Sequence, residues 1–241
     1  MGARAATETL RIAETFVSIQ GEGRLVGTPS SFVRTTGCNL RCHYCDTPDT
    51  SWSPAGRRMA VDDLVAFCAK GPRHVVVTGG EPLLQPAVAA LAARLRARGH
   101  HVTVETAGTV APPGVEADLW SISPKLAFAT PDGPQRARHE RARQAPAAVR
   151  ALMARGPWQL KFVVRADARA AIEADLAEVE ALCDEFGVSS SDRHRVVLMA
   201  EGTDEDRLRA AERRLAPYCI ERGFVLGQRL QIRLFGHRPG T

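Results

Sequence analysis

Three cysteines stand close together in one short stretch of the chain: Cys38, Cys42 and Cys45, spaced as C-x3-C-x2-C. Thiolate side chains select zinc, copper(I) or iron–sulfur clusters, so this spacing predicts a metal site. The next cysteine in the sequence is Cys68, too far away to belong to the same loop. The site is therefore one ligand short, which suits an iron–sulfur cluster whose free iron binds a small molecule.

A structural zinc site is the alternative interpretation of this loop. Zinc takes four ligands in such a site, and His43 lies inside the loop as a fourth candidate. A zinc module usually brings a second cysteine or histidine pair at characteristic spacing, and none follows Cys45. A zinc-binding interaction module is therefore the less favoured hypothesis.

The rest of the composition is that of an ordinary globular protein. Hydrophobic residues make up 44% and charged residues 24% of the 241 residues. This length allows one α/β domain or two small ones, and we expect one domain spanning residues 1–241. Cys68, Cys183 and Cys219 sit in helical patterns, where we expect buried thiols and no disulfides. No apolar run reaches the roughly 18 to 20 residues of a membrane span, and residues 1–8 lack the apolar core of a signal peptide. We therefore expect a cytoplasmic protein without a membrane partner.

The formal charge of +5 is concentrated in a few places. Much of the excess comes from residues 135–143, QRARHERAR, and from arginines on predicted helix faces. No aromatic residues are interleaved to stack on bases, so this pattern predicts a solvated surface and no nucleic-acid partner. We expect residues 126–145 to be a mobile basic insertion.

Strand and helix patterns alternate along the chain. Predicted strands cover residues 10–19, 31–34, 74–78, 101–105, 118–123, 159–164, 195–199 and 230–234. Predicted helices cover residues 61–70, 86–98, 146–154, 167–186 and 204–216, and residues 48–58 read as a loop. Alternating strands and helices imply right-handed βαβ units, hence an α/β fold with a mostly parallel sheet.

Polar and metal-binding residues follow five successive strands. They are Gln20 and Glu22, the three cysteines, residues 78–82, residues 105–106 and residues 123–125. The carboxyl ends of parallel strands meet at one edge of a sheet, where α/β proteins bind their ligands. We therefore expect these residues to form a single site.

The cysteine loop, with an aromatic residue at Tyr44 just before Cys45, resembles the cluster motif of the radical S-adenosylmethionine (SAM) superfamily. The resemblance implies a partial (β/α) barrel with helices outside, and a [4Fe–4S] cluster that binds and cleaves SAM. The turn Gly79-Gly80-Glu81-Pro82 resembles the glycine-rich segment of that superfamily. We expect its glycines to let the backbone approach the methionine part of SAM.

The sequence around the motif narrows the resemblance. Residues 14–23, 32–34, 37–47, 105–108, 123–125 and 230–231 are similar to the 7-carboxy-7-deazaguanine synthase family of queuosine biosynthesis. The resemblance implies that 6-carboxy-5,6,7,8-tetrahydropterin is converted to 7-carboxy-7-deazaguanine with loss of ammonia and a need for magnesium. A radical activase that makes a glycyl radical on a protein partner is the alternative within the superfamily.

The resemblance also implies roles for individual residues. Arg34 would pair with the substrate carboxylate and Thr47 would bind magnesium. The other implied substrate contacts are Ile19, Gln20, Gly21, Thr78, Glu105, Arg233 and Pro239. The implied SAM contacts are Tyr44, Cys45, Asp46, Gly80, Ser123, Pro124, Lys125, Met199, Ala200 and Glu201.

The sequence departs from the family at two of these positions. Arg233 stands where a histidine is expected two residues after Gln231, and Ala200 stands where proline is common.

The resemblance also implies two protein partners. They are an electron donor such as a flavodoxin or ferredoxin, and a second copy of the chain in a homodimer.

Overall fold

The computed structural model describes residues 8–241 of the chain. Strands of this part form a nine-stranded sheet in the order β3-β1-β2-β4-β5-β6-β7-β8-β9. They are β1 (Thr9–Ile19), β2 (Pro29–Thr35), β3 (Arg57–Ala60), β4 (His74–Gly79), β5 (His101–Thr106), β6 (Leu119–Ile122), β7 (Trp158–Val164), β8 (Val196–Ala200) and β9 (Val225–Gly227). Neighbouring strands from β2 to β9 are parallel, whereas β1 runs antiparallel to both β2 and β3.

The helices are α1 (Pro48–Ser51), α2 (Val61–Cys68), α3 (Val88–Ala97), α4 (Arg136–Arg143), α5 (Pro146–Met153), α6 (Arg169–Phe186), α7 (Glu205–Arg222) and α8 (Leu230–Phe235). Apolar side chains of α2, α3, α5, α6 and α7 pack with the strands in one large core. Each of these helices follows or precedes a parallel strand, as the βαβ pattern predicts. The predicted α/β class is confirmed.

Side chains alternate between two faces of the sheet because successive residues of a strand point to opposite sides. In β7, Leu160 and Phe162 join the core under the helices, whereas Lys161 lines a cavity on the other face. In β8, Ala200 joins the core, whereas Met199 lines the same cavity. The helices therefore cover one face of the sheet, and the other face carries the polar residues.

The prediction of a strand at residues 230–234 is wrong, because these residues form helix α8. The run Leu-Gln-Ile-Arg-Leu alternates apolar and polar residues as a strand does, but only Ile232 is buried and Leu234 is 53% exposed. The last strand is the three-residue β9, which is too short to produce a recognisable pattern. Residues 48–58, predicted as loop, hold α1 and the start of β3.

The basic segment 126–145 carries a 3-10 turn at Ala127–Ala129 and helix α4. His139 of α4 is 1% exposed, and its Nδ1 accepts a hydrogen bond of 3.0 Å from the backbone N–H of Arg41 in the cysteine loop. Ala142 packs against the same loop. These contacts join the segment to the cysteine loop, and its mobility stays a prediction.

Cys68, Cys183 and Cys219 are buried and free of disulfides, as expected from their positions in helical patterns. Burial raises the pKa of the Cys68 and Cys183 thiols to about 12. In the described part of the chain, no helix has both the length and the apolar character needed to cross a membrane.

Candidate active site

A cavity of about 640 Å³ opens at the carboxyl ends of the parallel strands. Most residues that the sequence predicted for the site line it together: Ile19, Gln20, Gly21, Arg34, Cys38, Cys42, Tyr44, Cys45, Asp46, Thr47, Thr78, Gly80, Glu105, Ser123, Lys125, Met199 and Pro239. Residues from the ends of several strands thus meet in one place, which is how parallel α/β folds build their sites.

Four predicted residues do not line the cavity: Arg233, Pro124, Ala200 and Glu201. The guanidinium of Arg233 is bound to the carboxylate of Glu212 on α7. Ala200 faces the core under the helices because it lies one position after Met199 in the same strand. The structure puts the neighbouring Gln231 in the cavity instead of Arg233.

Side-chain hydrogen bonds from Arg41 within the cysteine loop and from Trp52 beyond it hold the loop backbone. The guanidinium of Arg41 donates from Nη1 to the carbonyl oxygens of Cys38 at 2.8 Å and Leu40 at 2.7 Å. The indole N–H of Trp52 donates to the carbonyl oxygen of Cys42 at 3.0 Å. These bonds hold the loop backbone so that all three thiols face the cavity.

The three thiols have the environment of metal ligands. Burial raises the pKa of Cys38 to about 11 and of Cys42 to about 12. The positive charge of a bound metal is therefore needed to stabilise the thiolate forms that bind it. The N–H of Leu40 donates to Cys38 Sγ at 3.4 Å, a bond that favours a bound thiolate. These residues fit an iron–sulfur cluster held by three cysteines.

The geometry does not favour the zinc alternative. Among residues 8–241, no three His, Cys, Asp or Glu side chains converge as the ligands of a single ion would. His43, the candidate fourth ligand, is exposed and sets its ring edge-on to Tyr44, with centroids 5.3 Å apart. A closed four-ligand site is therefore not formed by this loop.

Gly80 brings the end of β4 against the cysteine loop. A Cβ on this residue would lie 2.4 Å from the carbonyl oxygen of Gly37 and 2.8 Å from the Cβ of Cys38. The next residue, Glu81, donates its backbone N–H to the same Gly37 oxygen at 2.9 Å. The glycine thus makes room for the protein's own loop, and the approach of this backbone to SAM stays a prediction.

Glu81 is a buried carboxylate that ties β4 to β5. It is 0% exposed and accepts hydrogen bonds from the hydroxyl of Thr106 at 2.8 Å and from the backbone N–H of Ala107 at 2.9 Å. It also accepts from the backbone N–H of Leu83 at 3.1 Å. The sequence placed Glu81 in a functional turn, and the structure shows that its side chain fixes the shape of that turn.

Glu105 is the centre of the polar group in the cavity. Its Oε1 accepts from Gln20 Nε2 at 3.2 Å, and its Oε2 accepts from Thr78 Oγ1 at 3.0 Å. These three side chains come from β5, the end of β1 and β4. The sequence predicted all three as substrate contacts, and the structure brings them together.

Lys161 and Glu22 complete this group. The sequence predicted Glu22 for the site as a strand-end residue without assigning it a contact, and it did not predict Lys161. Lys161 Nζ lies 3.0 Å from Glu22 Oε2 and 3.2 Å from Glu105 Oε1. Burial opposes ionisation of Glu22, but Lys161 and Arg229 lower its pKa to about 2. Burial likewise opposes the ammonium of Lys161, but Glu105 and Glu22 raise its pKa. Glu22 and Lys161 are therefore both charged at neutral pH.

Arg229 and Gln231 close the cavity from the α8 side, and sequence reasoning missed both. Gln231 Nε2 donates to Glu22 Oε1 at 3.2 Å, and Arg229 Nη1 lies 3.5 Å from Asp46 Oδ2. A Cβ on Gly21 would lie 1.7 Å from Gln231 Oε1, so only glycine admits this contact. The position of Gln231 in an apparent strand hid its role.

Arg34 lies at the side of the cavity. Its Nε donates to Glu14 Oε1 at 2.6 Å, and its guanidinium lies 5.6 Å from the centre of the Phe16 ring. The Phe16 ring stacks in turn on Phe32, with centroids 4.8 Å apart. These contacts fix the guanidinium plane and leave its two terminal nitrogens without a partner among residues 8–241.

Thr47 follows the cysteine loop and precedes α1. It occupies the N-cap position of this helix, but its side chain makes no capping hydrogen bond. Its hydroxyl oxygen lies 3.3 Å from the donor Thr50 Oγ1. The Thr47 hydroxyl therefore does not cap helix α1, and Thr47 lines the cavity.

Aromatic and basic side chains pack around the part of the cavity that holds the cysteines, where Tyr44 and Lys125 line it. The Tyr44 ring stacks on Phe128 with centroids 5.0 Å apart, and the guanidinium of Arg165 lies 5.0 Å from the centre of the Phe128 ring. Lys125 Nζ donates to the hydroxyl of Ser123 at 2.8 Å. The C-terminal segment reaches the same side, where His237 Nε2 and the carbonyl oxygen of Asp46 are 3.1 Å apart.

The cysteine loop and the strands around it match a known family model. Residues 32–143 match the model of the radical SAM superfamily. The structure is also similar to that of QueE from Escherichia coli, with a TM-score of 0.64 and 24% identity over 91% of this chain and 93% of that chain. The partial barrel of radical SAM type, predicted from the sequence, is thereby confirmed as the fold.

Curated relatives match nearly the whole chain. The 7-carboxy-7-deazaguanine synthase of Rhodopirellula baltica is 45% identical over 99% of this chain and 91% of the relative. The enzyme of the same name from Halobacterium salinarum is 43% identical over 96% of this chain and 93% of the relative. The enzyme of that name from Pyrobaculum aerophilum is 36% identical over 98% of this chain and 99% of the relative. These matches favour neither the activase nor the zinc module, and the chain belongs to the 7-carboxy-7-deazaguanine synthase family of radical SAM enzymes.

Proposed function

We propose that this chain converts 6-carboxy-5,6,7,8-tetrahydropterin into 7-carboxy-7-deazaguanine with loss of ammonia. The observation that carries the proposal is the arrangement of the cavity. Three cysteine thiols line one part of it, and Gln20, Thr78 and Glu105 form a hydrogen-bonded group in another. A radical generator thus shares one enclosed space with groups that suit a small polar ring.

The radical SAM family implies a [4Fe–4S] cluster and SAM for this chain. When bound, the two together supply a 5′-deoxyadenosyl radical that removes hydrogen from the substrate. The three cysteines hold the cluster, and Ser123, Lys125 and Met199 are the cavity residues that we assign to SAM. Tyr44 and Phe128 provide a stacked aromatic surface beside them.

Arg34 supports the assignment of a carboxylated substrate. Its terminal nitrogens are the part of the guanidinium that pairs with a carboxylate in a planar, bidentate manner. Glu14 and the Phe16 ring hold the guanidinium in one orientation, so little side-chain entropy is lost when the substrate binds. Glu105 accepts hydrogen bonds from the ring N–H groups of the pterin at the other end of the molecule.

Magnesium at Thr47 is part of the proposal. Magnesium prefers oxygen ligands and keeps several waters, so one protein hydroxyl and one substrate carboxylate are sufficient as its other ligands. Thr47 offers a hydroxyl that makes no helix cap and faces the cavity. We therefore expect Thr47→Ala to raise the magnesium concentration needed for half-maximal activity and Thr47→Ser to restore it.

The function is tested by anaerobic incubation of reconstituted protein with reductant, SAM, magnesium and the carboxypterin. We expect a deazaguanine product, seen by its ultraviolet spectrum and its mass. The control omits the pterin and measures 5′-deoxyadenosine. Cleavage of SAM without any deazaguanine product would refute the proposed substrate while leaving the radical chemistry intact.

An acidic one-electron carrier of the flavodoxin or ferredoxin type is the proposed electron donor, and helix α4 is its proposed docking surface. Residues three apart share a helix face. His139 and Ala142 face the cysteine loop, so the exposed Arg138 and Arg141 form an adjacent outer face. Neither arginine has a carboxylate partner within the part of the chain that is described. A positive surface close to the thiols suits an acidic donor.

Charge reversal tests this docking surface. The variant Arg138→Glu/Arg141→Glu should raise the KM for reduced flavodoxin, with no change when dithionite and methyl viologen supply the electron. Arg207→Glu/Arg213→Glu on α7 makes the same change in net charge at exposed positions away from the loop. Equal KM values for the two variants would remove α4 from the proposal.

A homodimer and a cytoplasmic location complete the proposal. Strand β3 pairs with residues 9–12 of β1, so within residues 8–241 one edge of residues 13–19 has no strand beside it, and Val17 there is 53% exposed. Light scattering coupled to size-exclusion chromatography measures the oligomeric state directly. The six free cysteines suit a reducing compartment.

A further inference from the structure

Lys161 is a buried ammonium at the polar end of the cavity. Its side chain is 4% exposed, and Nζ contacts Glu22 Oε2 at 3.0 Å and Glu105 Oε1 at 3.2 Å. A lysine ammonium carries three N–H donors, and these two carboxylates take two of them. Among residues 8–241 Nζ has no third partner, although Lys161 lines the cavity.

Glu105 has one free acceptor position beside this donor. An ionised carboxylate offers about four lone-pair positions, two on each oxygen. Gln20 and Lys161 occupy those of Oε1, and Thr78 occupies one of the two on Oε2. The cavity therefore presents an N–H donor and a carboxylate acceptor side by side, held by side chains from β4, β5, β7 and the end of β1.

We propose that Lys161 is a substrate-recognition residue that donates its third N–H to a ring carbonyl oxygen while Glu105 accepts from the adjacent ring N–H. The inference rests on the proposed function, since the pterin substrate carries such a lactam edge on its pyrimidine ring. A ring with an amino group in place of the carbonyl turns a donor toward the ammonium and is rejected. Lys161 thus determines specificity at the end of the substrate opposite its carboxylate.

Glu22 supports Lys161 in this role. A buried ammonium with a single counter-ion is costly, and the second carboxylate offsets that cost. Glu22 accepts a hydrogen bond from Gln231 at 3.2 Å and lies 3.9 Å from Arg229 Nε, so it is held in place beside Lys161. Glu22 is therefore a positioning residue for Lys161.

A purely structural Lys161, serving only as counter-ion to two carboxylates, is the competing explanation. It predicts that loss of the ammonium weakens all ring ligands alike. Recognition of the lactam predicts a selective loss. The two explanations differ in the ratio of two affinities, which does not depend on how much of the protein is active.

The experiment compares two ligands that differ only at the ring edge: 6-carboxypterin, with the lactam, and 2,4-diaminopteridine-6-carboxylic acid, with an amino group in its place. Dissociation constants are measured by anaerobic calorimetry on cluster-loaded, SAM-bound protein, so no turnover is needed. A hydrogen bond to a charged group is worth roughly 10- to 150-fold in affinity. We expect wild type to prefer the lactam ligand by at least roughly tenfold.

Lys161→Met should lower this preference about threefold or more, chiefly by weakening the lactam ligand, and Glu105 keeps the remainder because the diamino ring lacks the adjacent N–H. Lys161→Gln, which keeps a neutral donor, should give an intermediate ratio, and it decides the matter if Lys161→Met fails to fold. Glu22→Gln should weaken both ligands and keep the ratio, and the exposed Lys70→Met should change neither. A wild-type ratio in both Lys161 variants, or equal affinities in wild type, overturns the inference. Formation of deazaguanine by wild type in the turnover assay keeps the proposed function separate from this result.

Discussion

Replacing Gly80 by alanine should damage the iron–sulfur site without touching a cysteine. The added Cβ would lie 2.4 Å from the Gly37 carbonyl oxygen, whereas ordinary contacts lie at 3.4–4 Å. The cysteine loop must therefore move by about 1 Å, and overpacking of this kind costs about 1–3 kcal/mol of the free energy of unfolding. The cost comes from the contact and not from the backbone, because the φ angle of Gly80 lies outside the left-handed region.

Gly156 offers a matched control for this substitution. Its φ angle is also ordinary, and a Cβ there would find its nearest neighbour, the Ala117 carbonyl oxygen, at 3.8 Å. Gly156→Ala should be neutral or stabilise by about 0.4–1 kcal/mol through the unfolded chain. Urea unfolding of the metal-free protein gives the free energies, and iron analysis after reconstitution gives the loading. Equal stability and full iron loading in Gly80→Ala and Gly156→Ala would refute the role assigned to Gly80.

Three further predictions concern charged and metal-binding residues. Cys38→Ala, Cys42→Ala and Cys45→Ala should each abolish 5′-deoxyadenosine formation; turnover by any of them would show that the loop is misassigned. Arg34→Ala should raise the KM for the carboxypterin roughly 10- to 150-fold with unchanged iron content, and an unchanged KM would remove it from the site. Glu22, with its pKa lowered to about 2, stabilises the fold above about pH 4.5, and this contribution of about 3 kcal/mol is lost as the pH falls toward 2. The difference in urea stability between wild type and Glu22→Gln should therefore shrink between pH 5 and pH 3, and a constant difference would contradict the pairing.

The sequence predicted the strands well because most of them are buried on both faces. The run from His74 to Thr78 holds three consecutive valines, and β7 is buried over its whole length. Such runs stand out from their surroundings as strands of a parallel sheet. Strand β9 and helix α8 were missed or misread because each is short and because tertiary contacts, such as Arg233 with Glu212, decide their conformation.

The cavity residues could be predicted only where the strand register was known. Met199 and Ala200 are neighbours in the sequence, and nothing in their residue types tells which of them faces the cavity. The register of β8 against β7 places Val163 opposite Met199 and Val164 opposite Ala200, so the first pair faces the cavity and the second the core. A shift of one residue would exchange the two faces, which is why the resemblance alone assigned both.

Lys161 shows the limit of sequence reasoning most clearly. In the sequence it is one of two polar residues, with Gln159, in the otherwise apolar strand Trp158–Val164, a position that by itself predicts an exposed lysine on a sheet face. Its partners lie 139 and 56 positions away along the chain, so the charge pairing exists only once β1, β5 and β7 are assembled. The Lys161 side chain is 4% exposed, so burying its charge costs desolvation free energy. The two carboxylates neutralise that charge, but they do not explain why Lys161 lies on the cavity wall. That position gives the ammonium access to a ligand, which a counter-ion alone does not need.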